Sequence, residues 1–349
     1  VLPNGKLILS GKNPDGYGMI VRLNSDGSYD NSFGTGGETI LNLLSSFNTL
    51  GQPHILSNGS LIIYDGIDQL IKVDSNGIID NTFNNSQFGG GDFVILSNGK
   101  IVSIEMTQKK SLIRYNSDGS LDTLYGTNGI FTVFSQGQII VNLETNPLTN
   151  DIFILDSGNS NSNYKVWKLE NNNILNGTSF NQGAAIWATD FKFYNNALFL
   201  SGHSSPSMFS RLTKLNLDLS VSYVYPINRD NFIPRNNISF QSNGKILQLL
   251  RLFSDPYNTN IKINSFSNDG SAVNLATENF PEIEYFNDGI IAADNYLNKI
   301  YFISSGYNDL LITRFNQNNL SITEFNKSEF IVTPSPVESI ASFTSEIKT

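Results

Sequence analysis

The sequence predicts an all-β fold: a seven-bladed β-propeller, one domain over residues 1–349, its ring closed by a C-terminal strand that completes the first blade. Three observations carry this. The chain repeats itself at intervals of 40 to 54 residues. Its apolar runs are short and rich in β-branched and aromatic residues, as strands are and helices are not. Tight-turn sequences of the Asn-Gly and Asn-x-Asp-Gly kind stand between those runs.

The repeats come first because they organise everything else. Residues 21–34 (VRLNSDGSYDNSFG), 71–84 (IKVDSNGIIDNTFN) and 113–126 (IRYNSDGSLDTLYG) nearly coincide. Each follows a second shared phrase, at 2–11, 56–66 and 96–105. Weaker pairs continue at 148–158 with 166–180, 194–202 with 212–223, 241–251 with 261–271, and 296–306 with 311–325. That makes seven copies. The residues aligned before each hairpin glycine position are Asn4, Asn58, Asn98, Thr149, Asn195, Asn243 and Leu297, with a mean spacing of about 49.

Within a copy, runs such as 6–9, 62–64 and 300–303 read as strands. The Asn-Gly pairs at 4–5, 58–59, 98–99 and 243–244 read as two-residue type I′ hairpins, in which both residues take positive φ. Asn150, Asn196 or Asn298 serves where the pair is missing. The phrase Asn24-Ser25-Asp26-Gly27, repeated at 116–119, reverses the chain again. A unit with two or three tight reversals in about 49 residues fits a four-stranded antiparallel sheet, one blade of a propeller. Copy two leaves only about nine residues between Phe83 and Phe93, which predicts a three-stranded sheet there.

These phrases, N-S-D-G-S-x-D-x-x-F/Y-G paired with S-N-G-K-I, resemble the delta-60 repeat, a bacterial and phage β-propeller repeat. The likeness is close in copies one to three, partial in copy six and degraded in copies four, five and seven. Complete copies carry a strand before the Asn-Gly hairpin, as at 92–96 or 237–241, whereas copy one has only Val1-Leu2-Pro3. Residues 329–333 finish blade seven. After the break at 334–336, the run 340–344 resembles 237–241. The segment 335–349 is therefore expected to supply the missing inner strand of blade one and to cover two sheet edges that invite aggregation.

Composition narrows function by exclusion. Asn accounts for 47 of 349 residues, more than twice the 22 Lys plus Arg, and Asn favours turns over helices. The net charge of −9 disfavours nucleic acid. Without cysteine there are no disulfides, thiolate nucleophiles or thiolate metal sites. No apolar run nears the roughly 18 residues of a membrane span. Val1 in place of Met predicts a processed or excised segment of a larger polypeptide.

Candidate chemistry is thin. Asn24-x-Asp26-Gly27-x-x-Asp30 has the look of a calcium loop, but Asp74, Asp80, Asp118 and Asp122 repeat the pattern without the bidentate Glu that calcium favours. Bracing of the turns outweighs metal binding. The recurring aromatics Phe33, Phe83, Tyr125, Phe180 and Phe325 read as core, because a ligand cage needs aromatics converging on one point. His54 falls in an inner strand and reads as a packed histidine. His203 falls in the loop 202–205 with Ser beside it and no local carboxylate to orient it, so no triad is suggested. Paired acids such as Glu282 and Glu284 could serve glycoside hydrolysis, although exposed strand-edge acids are commoner.

Geometry points to one face. The turns between strands one and two and between three and four share a face and are uniform. The second-to-third connections, at 13–17, 158–163, 203–210 and 253–260, open on the other face and vary. Variable loops on a rigid scaffold are where recognition usually resides. Tyr17, His203, Met208, Arg211, Arg251, Tyr257 and Tyr307 are the candidate ligand-face residues, with no catalytic residue, metal or cofactor expected. The reading is a non-enzymatic extracellular, cell-surface or virion module. It recognises a protein or glycan, or serves as a scaffold in a larger assembly. A carbohydrate-active propeller enzyme is the alternative.

Overall fold

The computed structural model describes residues 1–2, 4–13, 15–44, 50–65, 69–83, 92–135, 137–157, 164–170, 173–179, 185–205, 210–225, 232–241, 244–252, 260–267, 272–279, 289–294, 299–305, 310–316 and 328–332. Among these residues the helices and strands are all strands, and each sequence copy forms its own antiparallel sheet. The chain divides into two compact units. The first is Leu2–Asn161 with Lys165–Ser179; the second is Phe180–Thr349 with Val1 and Ser162–Tyr164.

In the first unit, sheet one is β1 (Leu7–Lys12), β2 (Tyr17–Leu23) and β3 (Glu38–Leu44). Sheet two is β4 (His54–Ile55), β5 (Leu61–Tyr64) and β6 (Leu70–Val73). Sheet three is β7 (Phe93–Ile95), β8 (Ile101–Ile104), β9 (Ser111–Tyr115) and β10 (Ile130–Thr132). Sheet four is β11 (Ile140–Thr145), β12 (Ile152–Asp156), β13 (Lys165–Glu170) and β14 (Asn173–Ser179).

In the second unit, sheet five is β15 (Ala185–Tyr194), β16 (Ala197–Ser205), β17 (Ser210–Leu215) and β18 (Val221–Val224). Sheet six is β19 (Phe232–Phe240), β20 (Ile246–Leu252), β21 (Asn260–Phe266) and β22 (Ala272–Asn279). Sheet seven is β23 (Gly289–Asp294), β24 (Lys299–Ser305), β25 (Leu310–Asn316) and β26 (Ser328–Val332).

Strands are hydrogen-bonded in chain order within every sheet. Sheet two has three strands among the described residues, as its short spacing predicts. Sheet one begins with the strand after its Asn-Gly turn. The run 340–344, expected to complete it, lies outside the described residues.

Burial follows strand position. Every residue of β8 and of β12 is buried. The fourth strand β18 instead shows Val221, Ser222 and Tyr223 to solvent. Apolar clusters bind successive sheets. Ile20, Phe33 and Leu41 of copy one meet Leu61, Ile63 and Val73 of copy two. Ile62 and Phe83 meet Phe93, Ile101 and Tyr115; Val102 and Tyr125 meet Leu143 and Ile154. Phe199 and Leu212 meet Ile238 and Ile246 in the second unit. Each fully buried side chain of this size contributes about 1.5–3 kcal/mol.

The hairpin geometry corrects the sequence expectation. Gly5, Gly59 and Gly99 take positive φ, but Asn4, Asn58 and Asn98 do not. In copy three, Gly99 N–H donates to Leu96 O while Leu96 N–H donates to Lys100 O. The turn is thus a three-residue loop ending in a left-handed glycine, not a type I′ turn. Asn98 Oδ1 accepts the Lys100 N–H at 3.1 Å, and Asn58 Oδ1 accepts the Ser60 N–H at 3.0 Å. The Asp-Gly turns repeat this plan: Asp26 Oδ1 accepts the Ser28 N–H at 3.0 Å, Asp118 Oδ1 the Ser120 N–H at 2.9 Å. Type I′ geometry does occur, at Asn195-Asn196, where both residues have positive φ between Tyr194 and Ala197. Asn150 stands in for glycine at φ 61°, as expected of it; Asn298 lies outside the described residues.

The recurring aromatic is core. Phe33, Phe83 and Tyr125 are buried, whereas Phe180 and Phe325 lie outside the described residues. The Asp three residues earlier does more than brace a turn. Asp30 Oδ2 takes Lys6 Nζ at 2.6 Å and Arg22 Nε at 2.5 Å, and the Arg22 guanidinium lies 4.6 Å from the Phe33 ring centre. Asp122 likewise takes Lys100 Nζ at 2.6 Å and Arg114 Nε at 2.7 Å, with Arg114 4.2 Å from the Tyr125 ring. Copy two keeps Lys72–Asp80 at 3.1 Å. Copy four exchanges the charges: Asp151 holds the place of Lys100, and Lys168 that of Arg114, 3.0 Å apart.

Candidate functional site

Each expected ligand-face residue whose backbone is described sits at the second-to-third connection of its own sheet. In copy one, the connection 13–16 is closed by Tyr17 N–H donating to Asn13 Oδ1 at 2.8 Å and by Gly16 N–H donating to Asn13 O. Tyr17 opens β2 and is half-buried. His203 lies within β16, opposite Trp187 and Ser210, and is half-buried. Residues 202–205 are therefore strand rather than loop, and the connection shortens to 206–209. Arg211 lies in β17 opposite Gly202, next to the His203–Ser210 pair, and is buried. That burial lowers its pKa from the ordinary arginine value. Arg251 lies in β20, opposite Ile233 and Ile261. Met208, Tyr257 and Tyr307 lie outside the described residues, as do Glu282 and Glu284. His203 and Arg211 are thus neighbours on one hairpin, and Tyr17 belongs to the other unit. His54 is in β4, half-buried, with its ring 4.2 Å from that of Phe93.

Acidic side chains stand at the ends of the second strands of copies two to four, and in copies two and three they brace the connection that follows. Asp65 Oδ1 accepts the Gln69 N–H at 3.0 Å. The Glu105 carboxylate accepts the N–H groups of Thr107 at 2.6 Å and Gln108 at 3.1 Å. Burial pushes Glu105 up, but the bonds from Thr107 and Gln108 outweigh it and hold its pKa below the usual range. Asp156, fully buried, accepts the Trp167 indole N–H. Among the described residues no three His, Asp or Glu side chains converge as metal ligands would.

Sequence reasoning missed a polar chain between sheets five and six. Gln248 Nε2 donates to Ser201 Oγ at 2.9 Å and to Arg211 O at 3.2 Å, and Asn264 Nδ2 faces Gln248 Oε1 at 3.4 Å. Ser201, Gln248 and Asn264 are all buried. Its signal was available, a Gln and an Asn inside apolar strand runs. Amides and a hydroxyl can hydrogen-bond neutral polar groups.

A second missed device joins inner strands. Bulges in β11, between Ile140 and Asn142, and in β19, between Pro234 and Ile238, interrupt the ladders beside Leu143 and Ile238. Leu143 N–H donates to Asp92 Oδ2 at 2.8 Å; Ile238 N–H donates to Asp190 Oδ2 at 2.6 Å. In both cases the acceptor comes from the preceding sheet. Burial raises the pKa of Asp190.

A family model described as a β-propeller domain of unknown function (DUF5122) matches residues 2–33 and 105–125. No curated protein matches the sequence. Among solved structures, prolyl oligopeptidase B from Galerina marginata is 9% identical with a TM-score of 0.57, covering 93% of this chain and 51% of that one. The β-propeller domain of Nup133 from Vanderwaltozyma polyspora is 9% identical with a TM-score of 0.53, covering 84% and 92%. The dihydro-heme d1 dehydrogenase NirN is 12% identical with a TM-score of 0.55, covering 96% and 65%. The chain spans about half the length of the prolyl peptidases it matches. At these identities the likeness concerns the fold alone. The chain is an all-β protein with a propeller-like fold.

Proposed function

We propose that this chain is a non-enzymatic recognition or scaffold module on an extracellular, cell or virion surface. Its partner is a protein or glycan, and no cofactor takes part. The observation that supports it most is a contrast between ends of the sheets. In copies one to three the first-to-second and third-to-fourth turns repeat one loop with an Asn or Asp brace. The second-to-third connections differ from copy to copy in length and sequence, and Tyr17, His203, Arg211 and Arg251 stand at their edges. Conserved geometry at one end and variety at the other suit a scaffold that presents changeable loops.

The same proposal includes a seven-bladed ring of the delta-60 kind, one domain over residues 1–349. Residues 335–349 supply the inner strand that sheet one lacks; the other six sheets each begin with a strand before the hairpin. Replacing residues 206–209 with the copy-one connection 13–16 is expected to abolish binding on a glycan array or to cells while leaving the circular dichroism unchanged. Binding that survives the exchange would overturn the face assignment.

A further inference from the structure

Seven Asn-Gly pairs occur in the chain. At five of them the Asn side chain is described and exposed: Asn4, Asn58, Asn76, Asn98 and Asn128. Asn-Gly is the pairing most open to spontaneous deamidation, because no side chain shields the glycine nitrogen. That nitrogen gives its proton to hydroxide and attacks the Asn Cγ. The N–Cγ bond forms, ammonia leaves, and a succinimide results. Water then opens the ring at either carbonyl to leave aspartate or isoaspartate, with no change of oxidation state.

The glycine N–H is bonded alike at all five sites. Gly5, Gly59, Gly77, Gly99 and Gly129 donate their N–H to Leu2, Leu56, Asp74, Leu96 and Tyr125 carbonyls at 2.9–3.0 Å. The electrophile is not. Asn4, Asn58 and Asn98 have Oδ1 pinned by the N–H two residues on, at 3.2, 3.0 and 3.1 Å. At Asn76 that role has passed to Asp74, whose Oδ1 accepts both the Asn76 and the Ile78 N–H at 2.8 Å. Among the described residues the Asn76 side-chain amide has no hydrogen-bond partner, and neither has that of Asn128.

We propose that the folded chain deamidates at Asn76 and Asn128 ahead of Asn4, Asn58 and Asn98. At Asn76 the change strikes a joint between sheets. Gly34 N–H donates to Asn76 O and Thr39 Oγ1 to Gly77 O, both at 2.7 Å. A Cβ on Gly77 would stand 2.4 Å from Gly34 N. Isoaspartate reroutes the backbone through Cβ and Cγ, lengthening it by a methylene and turning the Asn76 carbonyl that accepts from Gly34 into a free carboxylate, at a joint with no room to spare. Deamidation at Asn76 therefore loosens sheet one from sheet two.

The chain supplies its own control. Residues 73–99 contain no Lys or Arg, so trypsin releases Asn76 and Asn98 in one peptide ending at Lys100, each within Ser-Asn-Gly. The whole chain is aged in mildly alkaline buffer, folded and in parallel in urea, then digested and fragmented by mass spectrometry. The gain of about 1 Da is expected several-fold more often at Asn76 than at Asn98 when folded, and near equally in urea. Equal or reversed rates in the folded chain overturn the proposal. Asn76→Gln blocks the five-membered ring and is expected to slow the fall in melting temperature with ageing. If N76Q loses stability as fast as the parent, the consequence claimed for the joint is wrong. Gly77→Ala is unsuitable because of the contact with Gly34.

Discussion

Lys109 holds φ 53° with its side chain exposed, in the connection between β8 and β9. A left-handed conformation costs an L-residue about 1–2 kcal/mol, and no burial of Lys109 offsets it. Lys109→Gly keeps the backbone bond to Glu105 O and the one received from Ile140 N–H. It is expected to stabilise the chain by about 0.5–1 kcal/mol, after the added freedom of glycine in the unfolded state is charged against it. The check is the thermal unfolding midpoint. Leu219 shows why the rule needs the environment. It takes φ 66° at the place of Gly27 and Gly119, but it is 2% exposed. Burial worth about 1.5–3 kcal/mol outweighs the strain there, so the left-handed leucine is tolerated. Neither case is legible in sequence, because φ depends on the register of the turn and burial on the neighbouring sheet.

At the scale of the turn and the strand, the sequence conveyed which segments reverse but not how their side chains pair. Asn-Gly and Asp-Gly marked the reversals correctly because few other residues accept the last position of such a loop. The type I′ expectation failed at Asn4, Asn58 and Asn98 because the phrase contains one residue more than a two-residue hairpin holds. The Lys100–Asp122–Arg114 cluster was invisible for a related reason. Lys100 stands 22 residues from Asp122 and meets it only once β8, β9 and the turn after them are in register. Burial pushes Asp122 up, but the hydrogen bonds from Lys100 and Arg114 outweigh it and hold its pKa below the usual carboxylate range. Asp122→Asn keeps the shape and one acceptor but removes the charge shared by two cations. It is expected to cost about 1.5–3 kcal/mol, as bonds to charged groups do, measured by urea unfolding. A further Arg114→Met change in the same chain is expected to cost less than it does alone.

Across the whole molecule, fold class was legible because seven imperfect copies repeat the same strand and turn logic, whereas the polar chain at Gln248 depends on faces that no single copy defines. The carboxylates of that repeated logic also set how the chain meets acid. Hydrogen bonds from Thr82 and Lys72 lower the pKa of Asp80 to about 2, and Asp30 and Asp122 are depressed too. An unfolded Asp titrates near 3.9. For such groups the stabilisation is fully present above the unfolded value and is lost as pH falls through the folded one. Asp190 has the opposite sign: burial raises its pKa, so the cost of its buried charge is relieved as pH falls through that raised value. Among the described residues six depressed carboxylates, Asp30, Asp80, Glu105, Asp118, Asp122 and Asp218, oppose one raised. The urea midpoint is therefore expected to hold near neutrality and to fall between about pH 4 and 2. In a variant carrying Asp30→Asn, Asp80→Asn and Asp122→Asn the midpoint starts lower at neutral pH but declines much less over that acid range. An acid limb as steep in the variant as in the parent would place the acid sensitivity elsewhere than in the repeated ion pairs.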